Sequence, residues 1–391
     1  MKNIIIIGGG IAGTTAADEI RARDKECSIT ILDAEVHPCY SRVLLTHYVK
    51  GVVGREKVFL KQPQWYYDKN IEVMLGVRAE EINLKNKFVR TSEGRELPYD
   101  ELLVTTGTEI DLLNDDRRGV SYLNTLDDAD ALISLIGELK TRPTADRRAF
   151  IYGGGFIALE YANIFSHHGI PFGIAMRGKG FWSKVLSPAS QQVLARHAEK
   201  NNVPMYLNEP SIELLGDEEL MGVRLASGKD IPCGILGVGI GHRANEKVVI
   251  DAGIPTNHGI LANEYLETSV EHVYTAGDAA EFDDTIIGRR IRYGNWTNAL
   301  MQGRTVAKTI CGERTASRFV PAFSIAFLDM QIVFIGDTAR EFADEIRQTV
   351  AETDKACELF LRGGKLVGAV LIGDIASRAI LTKNIGQTYG A

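Results

Sequence analysis

The chain has 391 residues, 45% of them hydrophobic and 24% charged, with a formal net charge of −7. This is ordinary composition for a globular protein of two or three domains, and the acidic balance argues against nucleic acid as the main partner. No apolar run reaches about 18 residues, so no membrane span is expected.

The N-terminus, MKNIIIIGGG, reads as a short buried strand entering a glycine loop rather than as a signal peptide, because it lacks a small-residue cleavage site. Gly8, Gly10 and Gly13 follow at the spacing G-x-G-x-x-G and open a helical pattern. The first glycine allows a tight turn, the second lets backbone approach a pyrophosphate, and the third permits close helix–strand packing. A second strand, Ser28–Leu32, leads to Asp33, with Glu35 two residues on; either acid can bind a ribose hydroxyl pair.

Strands are expected at Ile71–Leu75, Phe88–Val89 and Tyr99–Thr105, the last returning to the first sheet. The polar stretch Thr141–Arg148 suits a linker or surface loop. The opening pattern then repeats: Ala149–Phe165 runs from an apolar strand through Gly153-x-Gly155-x-x-Ala158 into a helical pattern, and the strand Phe172–Met176 follows. No acid stands at the end of that strand. Arg177 and Lys179 stand there instead and could accept a 2′-phosphate or be a solvated basic turn, so the choice between NADH and NADPH stays open.

Further strands are expected at Met221–Arg224, Ile231–Leu236 and His272–Ala276, and a helix over Asn295–Ile310. From about Phe319 the pattern changes to strand-like runs, such as Gln331–Ile335 and Cys357–Leu361, separated by glycine turns. The five cysteines (Cys27, Cys39, Cys233, Cys311 and Cys357) form no C-x-x-C or metal-ligand spacing, and no metal is expected. Their odd number fits a reducing compartment, which makes a cytoplasmic location the expectation.

Two β-α-β units with different glycine fingerprints imply one tightly held dinucleotide and one diffusible one. Hydride transfer between a nicotinamide and a flavin is the chemistry that needs both. The expected fold is α/β, with two Rossmann-like dinucleotide-binding domains, for FAD and for NAD(P)H, and a small α+β C-terminal domain. Residues 1–113 and 248–318 are assigned to the FAD domain, 114–247 to the NAD(P)H domain and 319–391 to the C-terminal domain. Beside the glycines, Ile11 and Ala12 in the first loop and Phe156 and Ile157 in the second are counted as cofactor-binding.

Four further elements occur in order: GGGFIALE with Glu160, Leu103–Gly107 (LVTTG), Gly239–Asn245 (GIGHRAN) and Thr275–Asp278 (TAGD). With the two loops, they resemble the pyridine nucleotide-disulfide oxidoreductase superfamily over nearly the whole chain. The stretch Asp33–Gly51 (DAEVHPCYSRVLLTHYVKG) is most similar to its rubredoxin and ferredoxin reductases. The resemblance implies that Glu160 lies beside the nicotinamide and that Asp278, after Gly277, hydrogen-bonds the ribityl chain of FAD. It further implies that Arg42 reaches the FAD phosphates or adenosine, and that Thr46 and His47 lie near the isoalloxazine. Trp296 resembles an aromatic packed by flavin and nicotinamide, and Thr106, Gly107, Gly239 and Gly241 fall in cofactor-binding elements. His47, Glu160 and Trp296 are the expected catalytic residues. His47 replaces the lysine frequent in ferredoxin reductases.

The departures narrow the acceptor. Only Cys39 stands where disulfide reductases carry a C-x-x-x-x-C pair, and it does not match the single cysteine of the peroxidase and coenzyme A-disulfide branch either. The resemblance therefore implies electron transfer to a small acidic carrier, rubredoxin or ferredoxin; monomer and homodimer both stay open. Arg289, Arg290 and Arg292 are candidates for a docking patch. One alternative is an NAD(P)H oxidase or diaphorase reducing oxygen, quinone or nitrite-linked centres. Another is a non-catalytic flavin redox sensor or subunit.

Overall fold

A computed structural model describes residues 1–113, 115–351 and 354–390; residue 114, at an expected domain boundary, lies outside the described residues. The chain divides into two compact units. The first comprises Met1–Val43, Arg55–Glu109 and His242–Pro321; the second comprises Leu44–Gly54, Ile110–Gly241 and Ala322–Ala391.

In the first unit the run of isoleucines forms the central strand Asn3–Ile7 of a five-stranded sheet. Its order is Val273–Thr275, Glu101–Val104, Asn3–Ile7, Ser28–Asp33 and Glu72–Leu75, and every pairing is parallel. Both faces of a parallel sheet are covered, which is why Ile4 to Ile7 are all buried instead of alternating. One face packs on Ile82 and Val89 of an antiparallel three-stranded sheet and on Val249, Ile254 and Ile260.

The helix Ile11–Arg23 starts at Gly10 and ends at Asp24, whose carboxylate accepts the backbone N–H groups of Glu26 and Cys27 at 2.9 and 3.0 Å. A second helix, Trp296–Ile310, is capped by the Asn295 side chain, which accepts the N–H of Asn298 at 3.0 Å. The two helices meet so closely at Gly303 that a Cβ there would lie 2.4 Å from the Ala12 carbonyl oxygen.

The second unit repeats the architecture. Its parallel sheet has the order Met205–Leu207, Phe172–Met176, Ala149–Tyr152, Ile235–Val238 and Val120–Ser121. The expected single strand Ile231–Leu236 is two strands in different sheets: Asp230–Pro232 is antiparallel to Gly222–Leu225, and Ile235–Val238 enters the parallel sheet. The change occurs at Cys233-Gly234, where the Gly234 N–H turns to the Arg148 carbonyl at 2.9 Å. A proline with no N–H ends the first ladder. Thr141–Arg148 is the surface connection between the helix Leu126–Thr141 and the strand Ala149–Tyr152, with one 3₁₀ turn at Thr144–Asp146.

The C-terminal segment forms a five-stranded antiparallel sheet, ordered Ala322–Phe327, Met330–Gly336, Lys365–Ile372, Lys355–Arg362 and Glu345–Ala351, followed by the helix Arg378–Asn384. It belongs to the second compact unit. Asn163 joins it to the helix Phe156–His167, donating to the Ala326 carbonyl and accepting the Leu328 N–H, both at 2.8 Å. The almost fully buried Glu358 accepts the Ser187 N–H at 2.8 Å and an Arg340 donor at 2.7 Å. Among the described residues, no helix is long and apolar enough to cross a membrane.

Candidate functional site

The first glycine loop shows why each glycine is there. Gly8 has φ +110°, and a Cβ on it would lie 2.3 Å from the Thr105 carbonyl oxygen; on Gly13 it would lie 2.1 Å from the Gly8 oxygen. Gly10, followed by Ile11 and Ala12, has nothing within 4 Å of the same position, so the helix N-terminus opens onto free space. That end carries unpaired N–H groups and a positive partial charge, which suits phosphate. Thr105 fastens the loop by donating to the Gly8 carbonyl at 2.9 Å.

The two acids left open by the sequence separate here. Asp33 lies against the loop, where a Cβ on Gly9 would come within 2.3 Å of its carboxylate. Burial pushes its carboxyl up to about 6, against hydrogen bonds from the Glu35 and Gly9 N–H groups. Glu35 instead accepts the Tyr40 hydroxyl at 2.6 Å and pairs with Arg42. Thr106 donates to the Asn245 carbonyl at 2.5 Å, and Gly107, at φ +68°, accepts the Asn245 N–H at 3.0 Å. Thr106 and Gly107 are thus bound to Asn245 within the first unit.

At the GD turn, Gly277 has φ +82° and donates its N–H to the Gln302 side-chain oxygen at 2.7 Å. Burial raises the Asp278 carboxyl to about 6, against the attraction of Arg292, and Oδ1 of Asp278 has no partner. Thr275 Oγ1, Asn295 Nδ2, Trp296 Nε1, both amide atoms of Asn298 and Gln302 Nε2 are also buried and unpartnered. Asn298 and Gln302 are essentially inaccessible and one helical turn apart, so they share a face. An unsatisfied buried polar group costs roughly 1–3 kcal/mol, so such a concentration marks a surface built for a polar ligand. A flavin dinucleotide, rich in hydroxyls, carbonyls and phosphate oxygens, fits it. The sequence reading passed over Asn298 and Gln302; their i, i+4 spacing on a helix after the GD turn was the available signal.

The three arginines are largely engaged. Arg290 forms a two-pronged pair with Asp283 at 2.9 Å, Arg289 donates to the Arg290 carbonyl at 2.9 Å, and Arg292 donates to the Asp278 carbonyl at 3.1 Å.

In the second unit, Gly153 has φ +149°, and a Cβ on it would meet the Gly239 oxygen at 2.2 Å. A Cβ on Gly239 would press on Ile157 and the Ala158 backbone at 3.1 and 3.2 Å. Ala158 is fully buried, the small third residue of the fingerprint. Gly155 caps the helix Phe156–His167 and is again open, with only the Trp182 indole nitrogen as near as 4.0 Å. The Phe156 ring packs on Trp182, Phe323 and Phe334. Arg177 donates to the Ile240 carbonyl at 2.6 Å, and Gly241, at φ +143°, accepts the Asp111 N–H at 3.0 Å.

Glu160, one turn into this helix, is half-buried, and loss of water pushes its carboxyl up to about 7. Thr46 donates a hydrogen bond to it and Lys50 attracts it, both from the adjoining segment of the same unit. Burial lowers the Lys50 ammonium while Glu160 raises it. His47 is exposed. Of the expected catalytic residues, Glu160 therefore has Thr46 and Lys50 around it, whereas Trp296 belongs to the first unit. Lys50 was not anticipated, although Thr46 and Lys50 are four residues apart in one helical turn.

All five cysteines are free, and Cys39 is buried, with its thiol pushed up to about 11 by burial. Among the described residues no group of His, Cys, Asp and Glu is arranged to hold a metal ion.

The family model for pyridine nucleotide-disulphide oxidoreductases matches residues 2–303. The chain is 28% identical over 380 residues to nitrite reductase [NAD(P)H] of Bacillus subtilis, covering 95% of this chain and 46% of that protein. It is 27% identical over 389 residues to NADH-rubredoxin oxidoreductase of Clostridium acetobutylicum, covering 98% of this chain and 94% of that one. The chain thus spans about half the length of the nitrite reductase and nearly all of the rubredoxin enzyme. The structure of a covalent putidaredoxin reductase–putidaredoxin complex superposes with a TM-score of 0.88 over 98% of this chain and 93% of that one, at 23% identity, which shows a shared fold.

Proposed function

Because the chain belongs to the pyridine nucleotide-disulphide oxidoreductase family, we propose that it uses FAD and NAD(P)H to pass electrons to a small iron-containing carrier such as rubredoxin or ferredoxin. The enzyme class and both cofactors are those of the family; the acceptor is our reading. The observation that carries it is the thiol inventory. A disulfide substrate needs a nucleophilic thiolate beside the flavin, and the thiolate form of Cys39 is suppressed at neutral pH by burial. With no thiol relay, electrons leave the flavin directly for an outer acceptor.

When bound, FAD accepts a hydride from reduced nicotinamide and returns the two electrons singly. The protein's part is to bind and orient. The open N-terminus at Gly10 would hold phosphate, Asp33 would offer a carboxylate to ribose hydroxyls, and Asp278, Asn298 and Gln302 would supply unpaired polar atoms to a flavin dinucleotide. Gly153, Gly155 and Ala158 form the nicotinamide-nucleotide loop. Glu160 holds a proton that it exchanges near neutrality, with Thr46 and Lys50 fixing the carboxyl group. Arg42, held by Glu35, would reach the FAD phosphates or adenosine, and Trp296 offers an indole N–H.

The match to nitrite reductase over 95% of this chain favours a second reading, in which the acceptor is a centre linked to nitrite reduction. The five free cysteines support a reducing, cytoplasmic setting for either reading. The deciding experiment reduces the FAD-loaded protein anaerobically with NADH and with NADPH, then mixes it with rubredoxin, a [2Fe–2S] ferredoxin, oxygen or menadione. Reoxidation by an iron carrier at least about a hundredfold faster than by oxygen or quinone is expected, as electrostatically steered encounters allow. Preferential reoxidation by oxygen or quinone overturns the carrier reading, and failure of either nucleotide to bleach the flavin overturns the hydride chemistry beneath it.

A further inference from the structure

Trp182 lies beside the second glycine loop in an unusual state. Its backbone is in the left-handed region at φ +43°, where a bulky side chain is rare. Three hydrogen bonds hold it there. Its N–H donates to the Gly154 carbonyl at 2.9 Å, and its own carbonyl accepts the N–H groups of Val185 and Leu186 at 2.7 and 2.9 Å. The indole packs on Phe156, with centroids 5.0 Å apart at 61°, and on Phe334, at 4.9 Å and 58°. Nothing in this packing uses the indole nitrogen, which is buried and has no hydrogen-bond partner.

That nitrogen is also the atom nearest the open position over Gly155. An indole N–H donates and cannot accept, so only a ligand with an acceptor can satisfy it. The helix Phe156–His167 begins at the same place, with no acidic residue in its first turn, so its N–H groups favour an anion there. A donor-only side chain and a helix N-terminus converging on one space call for phosphate oxygens. We propose that Trp182 is a nucleotide-binding residue whose indole N–H donates to the diphosphate of the nicotinamide nucleotide. This rests on the reading that the second glycine loop holds that nucleotide.

The test is calorimetric titration of the oxidised, FAD-loaded protein with NAD+ and, separately, with ADP-ribose, which keeps the diphosphate and lacks the nicotinamide. Trp182→Phe removes the N–H and keeps an aromatic ring against Phe156 and Phe334. Its Kd is expected to rise about tenfold, and by the same factor for both ligands, as for loss of one hydrogen bond to a charged group. FAD content and melting temperature should stay at wild-type values, and Trp182→His, which returns a ring N–H, should recover part of the affinity. A Trp182→Phe protein that binds both ligands as wild type does overturns the proposal while leaving the nucleotide site intact. A loss confined to NAD+ overturns it too, since the contact would then be to the nicotinamide end. Wild-type protein that binds neither ligand overturns the site itself, and with it the role of Trp182.

Discussion

Glu160 carries its carboxyl into partly buried surroundings, where the Thr46 hydrogen bond and the Lys50 charge do not fully replace lost water. Its ordinary value of 4.5 rises to about 7 in the folded protein. The folded state therefore binds the proton more tightly than the unfolded chain does between these values. Below pH 4.5 the group is protonated in both states and costs nothing; through the window from 4.5 to 7 stability falls as pH rises, and above 7 the whole penalty is present. Glu160→Gln removes the charge and keeps the shape. It should match wild type in urea unfolding near pH 4.5 and exceed it by about 1–3 kcal/mol near pH 8, after discounting for the solvent that still reaches the group. A Gln variant of equal or lower stability at pH 8 would show that Lys50 compensates the ionised carboxylate fully. The same substitution should slow reduction by NADH if Glu160 orients the nicotinamide, so stability and catalysis are expected to move in opposite directions.

Helices and strands show which features can be read in advance. A run of four isoleucines before Gly8 announces a strand buried on both faces, and the glycine spacing announces the helix that follows, because turn, approach and packing each impose a local demand. Other features depend on partners far along the chain. Arg21 reads as an ordinary charge near a helix end, yet it is buried and donates to the carbonyls of Asp24, Lys25, Cys27, Lys69 and Asn70 at 2.8 to 3.1 Å. Nothing local foretells the pairing with residues 69 and 70. Lys50 escaped notice for the same reason, since its partner Glu160 is 110 positions away. The helix Leu126–Thr141 is legible in principle, because Thr125 and Asp128 form a reciprocal capping box. Arg21 also yields a prediction for this element. Arg21→Met keeps much of the stem's volume and leaves the carbonyls around it without their donor, so a loss of about 3–5 kcal/mol is expected, as for breaking a buried charged network. Urea unfolding followed by fluorescence measures it. A loss under about 1 kcal/mol would mean that water replaces the guanidinium at those carbonyls.

For the whole molecule, the two glycine loops are alike in backbone but differ in the polar groups the protein leaves unpaired around them. Among the described residues, eight side-chain atoms of the first unit are buried without a partner, one on Glu246 and seven on Thr275, Asp278, Asn295, Trp296, Asn298 and Gln302, whereas the second unit has one, on Trp182. A site with many such atoms is costly to leave empty and therefore favours a resident ligand. A site with few tolerates a ligand that enters and departs each turnover. This asymmetry is what the proposed pairing of one tightly held and one diffusible dinucleotide requires. It follows that stripping FAD should cost far more stability than withholding the nicotinamide nucleotide. A ligand present at about a thousand times its Kd stabilises by about 4 kcal/mol, which in a chain of this size corresponds to a melting shift of about 5 °C. Removing FAD should lower the melting temperature by that amount, and adding FAD back should restore it. Saturating NAD+ should raise the melting temperature of the FAD-loaded protein by clearly less. Differential scanning calorimetry of the three states distinguishes the outcomes. A larger response to NAD+ than to FAD would assign the resident cofactor to the second loop and reverse the roles given to the two units.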